Sequence, residues 1–145
     1  MTETTETAHL RFRRERGLNE AEEFSRIWLA TLGGLIVPLP NFRWRREILA
    51  QHDLHHLVTG YETTVCGELS LAAWELGVCC YSSFWARLLC FGLMFSGLLA
   101  QPRITTGAYR RGRQSATHYD QLNMIHRLET PLVDLREEFN NCCRI

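Results

Sequence analysis

The sequence predicts an all-α fold: a single helical domain of about five to seven helices that contains a helix–turn–helix hairpin. Three observations carry this. Apolar residues recur at helical spacing in one segment after another, and no segment alternates with the period-2 pattern of a strand. Gly, Pro, Ser and Thr stand where helices of ordinary length would start and stop. The 145 residues are enough to bury a core in one domain.

Taken in order, MTETTETA has little to bury, so residues 1–8 are expected to be a disordered tail and residues 9–145 the helical domain. Asn19 with Glu22 reads as a helix start, and Phe24, Ile27, Trp28 and Leu32 continue it until Gly33 and Gly34. Pro38 and Pro40 make LIVPLP a connector. A second helix begins near Asn41, passes through Trp44, Ile48 and Asp53 to about Thr59, and stops at Gly60. Thr63 or Thr64 caps a third, through Val65, Leu69, Ala73 and Leu76, which Gly77 closes. Ser82 or Ser83 caps a fourth, from Phe84 to about Leu99, with Pro102 past its end. From Ile104 to Leu128 the pattern suggests a short arginine-rich helix, a turn and another short helix. Thr130 caps the last helix, with Pro131 at its first position.

Net charge is zero with neutral histidine, which gives no overall pull toward nucleic acid, and no nucleic-acid partner is expected. All 16 basic residues are arginine, a bias that a GC-rich genome also produces. The six cysteines form no CxxC pair and make a poor disulfide framework, and the polar N-terminus does not read as a signal peptide. The expectation is free thiols in a reducing cytoplasm. The terminal CCRI fits a prenylation box badly because Arg144 occupies an aliphatic position. Leu88–Ala100 is the most apolar run and is too short to cross a bilayer, so it should be a buried helix or one that touches a membrane or lipid.

The chemistry concentrates in residues 52–68. On a helix, His52 and His56 lie one turn apart on one face, the spacing by which two imidazoles are offered to one metal ion. Asp53 is three residues before His56 and completes the same quadrant. If Gly60 turns the chain into an antiparallel hairpin, Glu68 returns to the level of both histidines. Two imidazoles and one or two carboxylates suit a divalent metal, zinc foremost, with manganese, cobalt or iron as alternatives. A solvated helix end also accommodates an HxxxH pair, since the macrodipole favours histidine there; Asp53 and the returning Glu68 shift the balance to metal. His55 points elsewhere and reads as a spectator. Glu47, Glu62 and Glu75 would orient ligands or, more ordinarily, face solvent. Cys66 reads as core.

HDLHH, eleven residues and then Glu68 fit HDxxH-x11-E, which resembles the signature of the coenzyme Q biosynthesis protein 4 family. Gly60, Thr63, the Gly67–Glu68 pair, Gly112–Arg113 and PLVDLREEF extend the likeness over roughly residues 42–140. The chain departs from the family pattern at Glu62, where a proline is common, and in having only about forty residues before the motif helix. The resemblance implies a helical, metal-binding protein of ubiquinone synthesis, peripheral on the inner face of a membrane. It also implies His52, Asp53, His56 and Glu68 as metal-binding and catalytic residues. The implied reaction is decarboxylation, oxidative in form, at the carboxylate-bearing ring carbon of a prenylated hydroxybenzoate.

A prenylated or otherwise hydrophobic aromatic substrate needs an apolar groove and an anion grip. Trp74, Phe84 and Phe91 are candidates for the first, Arg110 and Arg113 for the second; core packing and a solvated face are the ordinary alternatives. A membrane surface, a biosynthetic complex and a second copy of the chain are the other partners considered. Competing readings are a lyase or cyclase that tailors a hydrophobic secondary metabolite, and a non-catalytic lipid-binding scaffold stapled by its metal. An HD-type phosphohydrolase lacks its outlying ligands here, and a zincin protease lacks the glutamate base.

Overall fold

The computed structural model describes residues 3–15, 26–32, 35–122 and 127–142. Six helices lie among them: α1 (Thr5–Glu15), α2 (Arg43–Thr59), α3 (Val65–Val78), α4 (Phe84–Ala100), α5 (Pro102–Leu122) and α6 (Leu132–Cys142). The fold is all-α, with one addition between α1 and α2. Strands β1 (Ile27–Leu32) and β2 (Leu35–Pro40) pair antiparallel, Ile27 opposite Pro40 and Leu32 opposite Leu35.

That ribbon corrects the expected helix through Ile27, Trp28 and Leu32; its proposed start at Asn19 falls outside the described residues. The Gly-Gly pair between the strands is a two-residue hairpin signal, and the β-branched and aromatic content of IWLATL suits a strand. Pro38 and Pro40 are tolerated because a two-stranded ribbon consists only of edges.

The expected disordered tail is also corrected, since α1 begins at Thr5. Its inner stripe is Thr5, Ala8, His9 and Phe12, at i, i+3, i+4 and i+7, with Thr5 and Ala8 fully buried. The start of α1 is tied to the entry of α6: Thr5 donates through N and Oγ1 to the Thr130 carbonyl at 2.9 and 2.8 Å, and Leu132 N donates to Glu3 O at 3.1 Å.

Helix α3 is the central element. Trp74, Leu71 and Ala73 pack with Leu54 and Val58 of α2, Ala108 of α5 and Leu135 of α6. Two glycines let α5 lie against it: a Cβ on Gly77 would stand 2.4 Å from Tyr109 O, and one on Gly112 2.2 Å from Trp74 O. Gly77 therefore does not close α3, which runs on to Val78 and is capped by Cys79 in the left-handed region (φ 61). Likewise Gly112 is a packing surface inside α5, which is one continuous helix of 21 residues where two short ones were expected. Pro102 is its first residue.

The remaining boundaries match expectation. Gly60 takes a positive φ of 77 and its N–H reaches His56 O at 2.9 Å, ending α2. Thr64 and Ser83 cap α3 and α4 with their side chains. The last helix begins one residue late, with Pro131 O accepting from Leu135 N at 3.2 Å. Among the described residues no helix is long and apolar enough to cross a membrane.

Candidate metal centre

The Gly60 turn sends the chain back so that the first turn of α3 faces the last two turns of α2. Gly67 makes the return tight: a Cβ there would lie 1.9 Å from Glu62 O, so the loop carbonyl sits directly on the helix start. Glu68 then projects between the two histidines. Its Oε2 is 3.3 Å from His52 Nε2 and its Oε1 3.2 Å from His56 Nε2. Metal–ligand bonds of about 2.0–2.2 Å in a tetrahedron place donor atoms about 3.4 Å apart, so the spacing fits one ion.

The opposite nitrogens decide how these rings face Glu68. His56 Nδ1 lies 2.8 Å from the Tyr61 carbonyl, which can only accept, so Nδ1 carries the proton. His52 Nδ1 lies 2.9 Å from Glu75 Oε1 and donates in the same way. In each neutral ring Nε2 therefore presents a lone pair toward carboxylate oxygen. His56 Nε2 is buried and, 3.2 Å from Glu68, still makes no hydrogen bond. Lone pairs converging on lone pairs require a cation between them, a metal ion or added protons. Among the described residues His52, His56 and Glu68 form the one group whose ligand atoms converge within 4.8 Å.

Glu75 stands two turns after Glu68 on the same face of α3 and is 2% exposed. Its Oε1 accepts from His52, from His55 Nδ1 at 2.7 Å and from Tyr81 Oη at 2.6 Å, while Cys90 Sγ donates to Oε2 at 3.4 Å. Burial works against the carboxylate, but the charge of His52 and hydrogen bonds from His52 and His55 hold it well below the usual range. Burial and the Glu75 charge push Tyr81 and Cys90 upward, so both remain protonated donors. Without a metal, burial works against the His52 imidazolium, yet the Glu75 charge and the hydrogen bonds to Glu68 and Glu75 lift it to about 10. Burial is likewise outweighed at Glu68, where His52 and His56 bring the carboxyl down to about 2.

His55 is not a spectator. It is fully buried beside Trp74 (ring centroids 5.3 Å), and burial lowers its pKa, keeping it neutral. Nδ1–H donates to Glu75, so Nε2 accepts from Tyr119 Oη at 2.8 Å; Tyr119 in turn accepts from Gln51 Nε2. A hydrogen-bonded chain thus runs from α5 through His55 and Glu75 to His52.

Asp53 is the one motif residue outside the convergence. One position past His52 it is turned about 100° around the helix toward α1, where Oδ2 lies 3.7 Å from His9 Nε2 and 3.9 Å from Arg13 Nε. Phe12 of the same helix lies tilted against the His56 ring with centroids 5.9 Å apart, so α1 covers that side of the centre.

The substrate candidates divide. Trp74 is fully buried core and lines no open groove, which corrects its proposed role. Phe84 and Phe91 are 63% and 62% exposed on α4. Arg110 lines a groove of ≈ 410 Å³ with Pro102, Arg103, Thr106 and Gly107, and Arg113 is exposed. Cys66 is exposed rather than core, Glu62 is exposed, and the Glu47 side chain is outside the described residues. Sequence reasoning missed His9, Glu75 as a buried acceptor, and Tyr119. Of these only Glu75 carried a signal, its i+7 spacing from Glu68. No family model, curated protein or solved structure matches the chain.

Proposed function

We propose that this protein is a divalent-metal enzyme of the coenzyme Q biosynthesis protein 4 type, with zinc the first candidate. Its reaction would be a lyase step, removing the ring carboxylate of a hydrophobic, prenylated aromatic acid. The observation that carries the reading is the pair of imidazoles whose Nδ1–H groups are fixed by Glu75 and by the Tyr61 carbonyl, leaving both Nε2 atoms on Glu68. His52, His56 and Glu68 would hold the ion; Asp53 supports α2 against α1. The bound metal would supply a Lewis acid for the carboxylate or adjacent phenolate oxygen.

The chain's own residues divide the remaining work. Glu75 orients His52 and raises its basicity as a ligand, and the Tyr61 carbonyl does the same for His56. Phe12 and the rest of α1 exclude water on the His56 side. The His52 and Glu68 side chains are 25% and 33% exposed, so substrate would approach from their side. The test is carbon dioxide release from a prenylated 4-hydroxybenzoate by zinc-loaded, manganese-loaded and iron-loaded protein. Release that survives both chelation and His52→Ala rejects the metal-dependent reaction.

A second reading, a non-catalytic scaffold, draws on the same geometry, because an ion held by α2 and α3 staples the hairpin. It predicts that metal removal lowers stability while no loaded form turns over substrate.

A further inference from the structure

We propose that Arg111 is a positioning residue for the metal centre, acting on His56 through Tyr61. The role deepens the metal reading and rests on His52, His56 and Glu68 holding the ion. The two histidines take their orientation from unlike partners. Glu75, which holds His52, lies inside α3 and is itself fixed by donors from His55, Tyr81 and Cys90. The partner of His56 is a carbonyl in the loop past Gly60, outside any helix. That carbonyl can keep His56 Nδ1–H aimed, at 2.8 Å, only if Tyr61 is held from outside the loop.

Arg111 holds it from α5. Its Nη1 donates to Thr59 O at 3.1 Å, and its guanidinium carbon lies over the Tyr61 ring, 5.5 Å from the centroid. One planar cation thus grips the last residue of α2 and the second residue past it. Thr59 links the two: its Oγ1 donates to His55 O at 2.6 Å and accepts from Tyr61 N at 3.4 Å. The sequence places the guanidinium. Gly112 lets α5 approach Trp74 O of α3, and Arg111, about 100° away around the helix, meets the end of α2 instead. Its neighbours go elsewhere, since Arg110 lines the groove beside Pro102 and Arg113 is exposed. The ordinary use of an arginine at a helix C-terminus is to satisfy its last carbonyls. Arg136 of α6 serves that use, donating from Nε to Leu57 O at 2.7 Å. Arg111 adds the contact to Tyr61 and, through it, to His56.

The test measures zinc affinity against a competing chelator in Arg111→Met, Tyr61→Leu, the double variant and Arg136→Met. Arg111→Met should weaken zinc about tenfold, the lower end of the loss for outer partners of a metal ligand, while Arg136→Met stays within about twofold. Tyr61→Leu keeps the carbonyl, removes the ring under the guanidinium, and should lose a similar factor. The double variant should bind no more than about threefold worse than either single one, because the two residues act in one step. In zinc-loaded protein the Nδ1–H NMR signal of His56 should shift in Arg111→Met and Tyr61→Leu, while that of His52, held by Glu75, stays in place. A role confined to closing the end of α2 would lower the urea midpoint and leave that signal unmoved. Native affinity in Arg111→Met overturns the proposal, and so does an equal loss in Arg136→Met. Should Arg111→Met fail to fold, Tyr61→Leu decides by the same affinity and NMR readouts. A native chain that binds no zinc overturns the centre itself, an outcome distinct from zinc binding that is indifferent to Arg111.

Discussion

Replacing Glu75 with glutamine keeps the shape of the buried side chain and removes its charge. In the native chain one oxygen, Oε1, accepts from His52 Nδ1 at 2.9 Å, His55 Nδ1 at 2.7 Å and Tyr81 Oη at 2.6 Å. A neutral amide oxygen holds these donors more weakly, and its NH2 group would have to face Cys90 Sγ, which now donates to Oε2 at 3.4 Å. His52 then loses both its fixed orientation and the anion that strengthens it as a ligand. Losing such an outer carboxylate typically costs about 10–100-fold in metal affinity, or about 1.4–2.7 kcal/mol. Zinc affinity measured against a competing chelator should fall by that factor. In the metal-free protein, NMR titration should show His52 moving down from about 10, because the largest upward influence on it is the Glu75 charge. An affinity within threefold of native, in a variant whose Glu68→Gln counterpart no longer binds, would refute the assignment of Glu75 as the residue that tunes His52.

The His52 pKa is raised from 6.5 to about 10, so in the metal-free protein its stabilising contribution is complete below 6.5 and disappears as pH rises through 10. The Glu68 contribution is present above 4.5 and is lost as pH falls through about 2. The urea midpoint of metal-free protein should therefore plateau near pH 4.5–6.5 and fall on both sides; a flat profile from 6.5 to 10 contradicts the ion pairing. Metal must displace the His52 proton, so affinity should rise about tenfold per pH unit up to that limit, which chelator titrations at several pH values would check. Tyr119→Phe leaves the buried His55 Nε2 without its donor and should cost about 1–3 kcal/mol in denaturant melts, with little direct effect on the metal ligands. Gly112→Ala forces a methyl to within 2.2 Å of Trp74 O and should destabilise by about 1–3 kcal/mol as α5 lifts from α3; an unchanged melting temperature would contradict that close approach.

What the sequence made legible was local and periodic. The α2–Gly60–α3 hairpin and the meeting of His52, His56 and Glu68 follow from a 3.6-residue repeat and one left-handed glycine, information carried within 17 residues. Tertiary packing supplied what was missed. Helix α1 hides its inner stripe because Thr5, Ala8 and His9 are small or polar; Thr5 is covered by the entry of α6, more than a hundred residues away, and His9 turns to Asp53 of α2. Gly77 reads as a helix breaker in sequence, yet it and Gly112 are points where two backbones touch. The segment IWLATL has apolar residues that suit a helix stripe and a strand equally, and its antiparallel pairing with LIVPLP decides between them. Asp53 is grouped with the histidines by its spacing and by the family resemblance, but the 100° step around the helix gives it to α1. Glu75 looked solvated because carboxylates usually are, and only the convergence of four donors explains its burial.

The tightness of the Gly67 return has a kinetic consequence. The three metal-facing side chains belong to one short hairpin, so closing the loop between them costs little chain entropy. The partners of Asp53 in α1 and of Thr5 at the head of α6 lie at the far ends of the chain and must be brought together later. A metal ion present during folding would then be gathered by an early-forming element and would speed the folding limb of a chevron plot. Contacts made by α1 would appear mainly in the unfolding limb.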